Sequence, residues 1–261
     1  MKHRFSLAAS AFLLTLALFA GPACAGLKVP FGPGEKLSYE IYWTFIKVGY
    51  AELEVMPDTE MNGVPARHFR AEARTTPAID NFYKVRDCME AWTDRDVTRS
   101  LRYRKDQNEG TYHKKVDLVF DWSVNRTFRY IRGELRHELK QPEHAFDPMS
   151  VLFNYRRQVL YKTMRYGVPV TDGKKSVIGE SVVDGMETVE TKAGTFRCWR
   201  VNLDVKHISG VFRKSPDAAL VVWFSADERR IPVKVWSKVK VGHFTLELVR
   251  YTPPSGAGAE N

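Results

Sequence analysis

From Leu37 to Phe45 the chain alternates: Leu37, Tyr39, Ile41, Trp43 and Phe45 are apolar or aromatic, and Lys36, Ser38, Glu40, Tyr42 and Thr44 lie between them. A period of two puts the two sets on opposite sides of an extended backbone, so this is a half-buried strand. After Gly49 the comb resumes as Ala51, Leu53 and Val55 opposite Tyr50, Glu52 and Glu54. The break at Ile46-Lys47-Val48, with Gly49 free to take a positive φ, predicts an antiparallel hairpin whose tight end lies there. One face of such a hairpin must be covered by something.

The same alternation recurs almost to the end of the chain. ELEV and PARHFRAEART meet through Asn62-Gly63, a strong hairpin signal, and KVRDCMEAWT and SLRYRKDQ flank Asp94-Arg95-Asp96. TYHKKVDLVFDWS and RTFRYIRGEL flank Val124-Asn125. Later strands are separated by Asp172-Gly173, Asp184-Gly185, Ala193-Gly194, the run from Lys214 to Asp217, and Asp227-Glu228-Arg229. About a dozen short strands at this spacing predict a mostly β fold, a curved antiparallel sheet forming a barrel or half-barrel. One segment differs: DPMSVLFNYRRQVLYK places Asp147 at an N-cap, Pro148 at N1, and Met149, Leu152, Phe153 and Val159 or Leu160 at helical spacing. This predicts a helix over about 147–160, set at the open face or mouth of the sheet. A weaker helical turn is expected in TPAIDNFY.

The first 25 residues are set aside. Lys2, His3 and Arg4 precede a short apolar run and the sequence Ala23-Cys24-Ala25, the pattern of a cleavable export signal. The run is diluted by Ser6, Ser10 and Thr15 and falls short of the roughly 20 residues of a spanning helix. Acylation of Cys24 is disfavoured because Gly21-Pro22-Ala23, with no leucine, precedes it. Cleavage after Ala25 leaves 236 residues carrying 38 basic and 31 acidic side chains, and two cysteines. Residues 26–251 are expected to form one domain, and 252–261, rich in Pro, Gly and Ser, a disordered tail. In an oxidising compartment Cys88 and Cys198 either pair or remain as two buried thiols; a bond closing so long a loop would stabilise by about 4 to 5 kcal/mol.

Catalytic and metal signatures are sparse. The histidines show no metal-ligand spacing, and His137, His144 and Asp147, in a polar link with Glu138 and Glu143, read as a solvated linker before a capping Asp. There is no G-x-S-x-G, no P-loop and no G-x-G-x-x-G. Ser209 near His207 shows no base, orienting acid or oxyanion hole, and Glu52 with Glu54 reads as a solvated strand face. No catalytic residue, cofactor or metal is assigned, and an enzyme is the third-ranked reading.

Two other classes of residue remain. Arg126 and Arg129 lie in one basic strand, and Lys234, Lys238 and Lys240 alternate along another. Export argues against nucleic acid, so the expected counter-charges are lipid, lipopolysaccharide or an anionic glycan, with peripheral membrane contact, or else these residues only solubilise the surface. Trp43, Trp92, Trp122, Trp199, Trp223 and Trp236 fall on six strands. Together with Met149, Leu152 and Phe153 they either fill a core or line a cavity for an apolar ligand.

Three stretches, FGPGEKLSYEIYWTFIKVGYAELEV, FDPMSVLFNYR, and ETKAGTFRCWRV with LVVWFSADERRIPVKV, together resemble the family called domain of unknown function 3108, found in exported proteins of Gram-negative bacteria. The resemblance covers nearly the whole mature chain and brings no catalytic residue with it. It implies an exported β-rich fold similar to the half-barrel lipoprotein carriers of the periplasm. The resulting expectation is a periplasmic, non-enzymatic binding or carrier protein for an apolar or amphiphilic envelope component. The alternative is a module that holds an envelope protein or anionic glycan on a basic and aromatic surface.

Overall fold

The computed structural model describes residues 29–204, 219–239 and 241–255. Among the described residues the alternating segments form fifteen strands: β1 (Lys36–Trp43), β2 (Ile46–Val55), β3 (Thr59–Met61), β4 (Val64–Thr75), β5 (Arg86–Asp94), β6 (Ser100–Glu109), β7 (Tyr112–Asp121) and β8 (Arg126–Ile131). After these come β9 (Glu134–Lys140), β10 (Arg165–Thr171), β11 (Ser176–Thr191), β12 (Gly194–Leu203), β13 (Ala219–Ser225), β14 (Pro232–Lys238) and β15 (His243–Thr252). All but β3 follow one antiparallel path, β10-β11-β12-β13-β14-β15-β1-β2-β4-β5-β6-β7-β8-β9, and β3 pairs with β4. The sheet is therefore mostly a meander of hairpins, broken once where the chain's first strand pairs with its last.

No ladder joins β9 to β10, so the sheet curls without closing. The seam is bridged by other means. Ser100 N–H donates to Ala145 O at 3.0 Å, and Phe146 N–H donates to Pro169 O at 2.9 Å, tying one short segment to both β6 and β10. The tip of the β10–β11 hairpin lies on β7 and β8: Arg129 Nη1 donates to Asp172 O at 3.1 Å, and a Cβ on Gly173 would stand 2.5 Å from Leu118 Cδ2.

Several local expectations are corrected. The first hairpin turns at Thr44-Phe45, with Thr44 at φ 55, and not at residues 46–48. The break in the comb is a bulge: Ile41 faces Gly49 but Tyr42 faces Lys47, leaving Val48 extra. Gly49 does not have a positive φ; it is glycine because a Cβ there would lie 2.4 Å from Arg74 O on the neighbouring strand. Asp184-Gly185 is likewise a bulge inside the sixteen-residue β11, so two expected strands are one. Conversely RTFRYIRGEL divides at Arg132-Gly133, whose φ values of 53 and 85 suit a tight hairpin turn, and the polar link after it contains β9.

The helix is also shorter than the spacing predicts. It is α2 (Ser150–Arg156), preceded by α1 (Pro77–Asp80), the turn expected in TPAIDNFY. Asp147 Oδ1 accepts from Met149 and Ser150 N–H ahead of α2, so its carboxylate does the capping work from two residues upstream. Beyond Arg157 the chain leaves the helix, with Val159 exposed and Leu160 buried in a second cluster. Cys88 and Cys198 are both free, on β5 and β12 with six strands between them, so they are not a disulfide. Burial pushes the Cys198 thiol up to about 12. The expected turn from Lys214 to Asp217, His207, Ser209 and Lys240 lie outside the described residues. At the other end of the chain, Ser255 N–H donates to Pro33 O at 2.8 Å.

Candidate functional site: the two halves of the inner face

One face of the sheet is covered by α2, and it identifies the interior. Phe153 stacks on Phe69 of β4 with ring centroids 3.7 Å apart, and Phe31 meets both rings edge-on. Leu37, Tyr39, Leu53, Val55, Ala91 and Leu248 belong to the same buried cluster. Below them lies a fully buried ion pair. Arg156, 0% exposed, donates from Nη1 to Glu35 Oε1 at 2.6 Å and from Nη2 to Glu35 Oε2 at 3.0 Å. Its remaining donors reach Arg229 O and Arg230 O, and the Phe31 ring lies 4.8 Å from the guanidinium. Every charge in this node is met, the condition under which a buried pair is tolerated. Beside it Asp147 is buried against Ser100, which donates from Oγ at 2.6 Å; burial raises the Asp147 carboxyl, opposed by these hydrogen bonds.

Following the same face along the strands, the character changes. On β1 the inward residues run Leu37, Tyr39, Ile41, Trp43; the first two are buried, Ile41 is half-buried and Trp43 is 39% exposed. On β2 and β4 the partners shrink from Val55, Leu53 and Phe69 to Ala51, Ala71 and Ala73, again half-buried. Met89 and Leu246 continue this row on β5 and β15, and Phe244 sits opposite Trp43 on the rim. Between the helix-covered end and the rim the face is thus floored by small, half-buried side chains flanked by Ile41, Met89 and Leu246, a stretch we term the trough.

One flank of the trough is polar. Met89 faces Lys105, and Asp87, Gln107 and Glu109 follow toward the same end. Burial lowers the Lys105 ammonium, opposed by Asp87 and Glu109. Burial, then the Asp87 charge, raises the Glu109 carboxyl.

The residues singled out from sequence are scattered. Of the six tryptophans only Trp43 stands at the trough. Trp92 is buried in a satellite cluster with Ala66 and Leu101, and Trp122 is half-buried, donating to Ser100 O. Trp199 packs in a second cluster with Tyr155 and Phe224. Trp223 and Trp236 face outward, the former between Arg200 and Lys234 with its indole N–H on Glu187, the latter beside His243. Met149, Leu152 and Phe153 serve the packed half. Arg129 is buried inside the sheet, Arg126 pairs with Glu138 at 2.9 Å, and Lys234 pairs with Glu247 at 3.0 Å. Lys238 is exposed at the end of β14.

The carboxylates Glu52 and Glu54 share Lys36 on the outer face, at 2.8 and 4.0 Å. His137 lies on β9, and among the described residues no three His, Cys, Asp or Glu side chains stand close enough to hold a metal ion. An open outer groove of about 610 Å³ runs over β5 to β8, lined by Glu90, Arg104, Asp106, Lys115, Asp117 and Arg132, with charges of both signs. Sequence reasoning passed over the trough residues and the Glu35–Arg156 pair. The signal was present in residue size: the inward comb of β2 and β4 turns from large to small.

All three stretches that carry the family resemblance meet at the packed node: Phe31 and Glu35 from the first, Phe153 and Arg156 from the second, and the Arg229 and Arg230 carbonyls from the third. The profile of the family described as protein of unknown function DUF3108 matches residues 38–249. The chain belongs to the DUF3108 family. Its fold resembles that of a β-barrel-like protein of domain of unknown function DUF1849 from Brucella abortus, at TM-score 0.55 and 12% identity over 86% of this chain and 99% of that one. Weaker likenesses, each at TM-score 0.36, are to a presumptive lipoprotein from Parabacteroides distasonis (14% identity, 86% of this chain and 98% of that one) and a presumptive exported protein with YmcC-like fold from Bacteroides fragilis (12%, 85% and 97%). No curated protein sequence matches the chain. For this DUF3108 protein the first likeness supports the barrel-like fold and nothing about ligand.

Proposed function

We propose that this DUF3108 protein is an exported, non-enzymatic envelope protein that holds the apolar part of an amphiphile in the trough. One observation carries the reading: on a single continuous sheet face, the rows next to α2 are filled by large side chains, and in the rows beyond β2 and β4 carry half-buried alanines between the larger Ile41, Met89 and Leu246. A fold that only required a core would continue the large residues to the end. The polar flank at Asp87, Lys105 and Gln107 suits a ligand with one polar end. Export rests on the leader pattern in the first 25 residues.

The alternative, an outer basic and aromatic surface for an anionic glycan, has less support. Lys234 and Arg200 are already engaged with Glu247, Asp184 and Glu187 around Trp223. The test is native mass spectrometry of the protein purified without detergent, followed by titration with a fluorescent fatty acid. Bound lipid, or saturable binding that Ala71→Phe abolishes, is the expected result. An empty protein that binds no fatty acid defeats the reading.

A further inference from the structure

The end of the sheet onto which the trough opens carries a second feature. Because neighbouring strands are antiparallel, the β14–β15, β1–β2, β4–β5, β6–β7 and β8–β9 connections all lie at this end. The first four form a continuous edge. Thr44 N–H donates to His243 O at 2.9 Å, Thr76 N–H to Val48 O at 2.9 Å, and Gly110 N–H to Lys84 O at 2.8 Å. From this edge project Trp43, Phe45, Ile46, Phe82, Val241 and Phe244, six of the fourteen large apolar side chains exposed among the described residues. Phe45 is 89% exposed and Phe82 87%. Trp43 and Phe244 stand on the rim, the other four in the turns or at their edges, and among the described residues no element covers Phe45 or Phe82.

Charge separates this end from the other. Segments 43–48, 76–86, 109–114, 131–136 and 238–243, leaving Lys240 aside, contain seven Lys or Arg against three Asp or Glu. The connections at the opposite end, 29–35, 56–63, 94–100, 121–126, 141–164, 191–194 and 225–232, contain nine against ten. Exposed aromatic tips set among cations are the composition that enters the interface of an anionic bilayer, with rings at headgroup level and Lys or Arg on lipid phosphates. Separate turn tips suit a fluid layer, which fills between them, whereas a protein partner requires one continuous complementary surface.

We propose that this end docks on the surface of an anionic lipid bilayer through Phe45, Ile46, Phe82 and Val241, with the trough mouth facing the lipid. The proposal adds a partner to the carrier reading and gives the trough a source of ligand, but its test is separate. Protein recovered from the envelope with its leader removed is sedimented with vesicles of phosphatidylcholine alone or with about 30% phosphatidylglycerol. Binding is expected on the mixed vesicles, weakening as salt rises. Phe45→Ser with Ile46→Ser should lower the partition coefficient about tenfold or more, since each side chain loses its apolar burial. Val124→Ser, at a residue of the opposite end as exposed as Ile46, should leave it unchanged.

Absence of wild-type binding at low salt overturns the proposal, as does a double variant that binds like wild type. It is also overturned if the double variant instead dissolves an oligomer, which would make the tips a contact between copies. Fatty-acid titration of the same proteins separates the two readings. Binding of fatty acid without vesicle docking sinks only the docking; vesicle docking without fatty-acid binding sinks only the carrier.

Discussion

The two ends of this sheet are built from the same alternating pattern and finished in opposite ways. At the closed end α2, Phe31 and the β13–β14 turn bury a charged pair under aromatic rings, with the guanidinium bonded to the carboxylate and to backbone carbonyls. At the open end the inward residues of β2 and β4 shrink to alanine and the turns present exposed Phe, Ile and Val. The strand pattern specifies that there is an inner face. It does not specify whether that face is filled; side-chain size along the comb does. The closed end is therefore where stability should be concentrated, and the open end where substitutions should change binding and leave folding alone.

The largest test of that contrast is Arg156→Met. Truncation leaves Glu35 buried without its counter-charge, and the expected loss is about 3 to 5 kcal/mol in denaturant unfolding. Adding Glu35→Leu should recover much of it, because the unpaired carboxylate is then gone. A single variant as stable as wild type would show that this node does not hold the helix to the sheet. Phe153→Ala comes close behind, at about 3 to 5 kcal/mol, from lost burial and the cavity left against Phe69.

At the open end Ala71→Phe should behave oppositely. Ala71 is half-buried, so the added ring has space on its solvent side, and the expected change in stability is less than about 1 kcal/mol. Fatty-acid binding should nevertheless fall by an order of magnitude or more, on the same burial argument. A loss of stability comparable to that of Phe153→Ala would mean that the alanine rows are packed core, and the contrast between the ends would collapse.

How far this contrast was legible in the sequence depends on which property carried it. Alternation from Leu37 onward and Asn62-Gly63 placed strands and a turn correctly, because backbone period and positive φ are local properties. The turn at Thr44-Phe45 and the bulges at Val48 and Asp184 were not legible: Thr44 and Arg132 take a positive φ without being typical turn residues, and Gly49 is set by the approach of Arg74 O from another strand. Glu35 and Arg156 lie 121 positions apart, and nothing local marks them as partners. Tryptophan proved a poor guide to the trough, since its large ring serves satellite clusters and outer faces as readily as an inner one. The alanines marked the trough better, by leaving space.

The smallest expected effect concerns Glu40, which links the two ends. Its carboxylate lies on the outer face of β1 and accepts from Lys192 at 2.7 Å, from the tip of the β11–β12 hairpin, and from Lys47 at 3.3 Å, beside the open-end turn. Lys192 first, then the Tyr42 hydroxyl, hold the Glu40 carboxyl down to about 2. A carboxyl depressed in the folded state contributes stability that is fully present above its unfolded value near 4.5 and is lost as pH falls toward about 2. Both lysines are exposed, so solvent screening limits the contribution to on the order of 1 kcal/mol. Glu40→Gln should lower the melting temperature by a few degrees at neutral pH, and its deficit relative to wild type should shrink steadily between pH 4.5 and 2. Other carboxylates titrate in the same range, so the difference between the two proteins is the readout. A deficit that stays constant across that window would show that Glu40 contributes through packing, and that charge does not couple the ends.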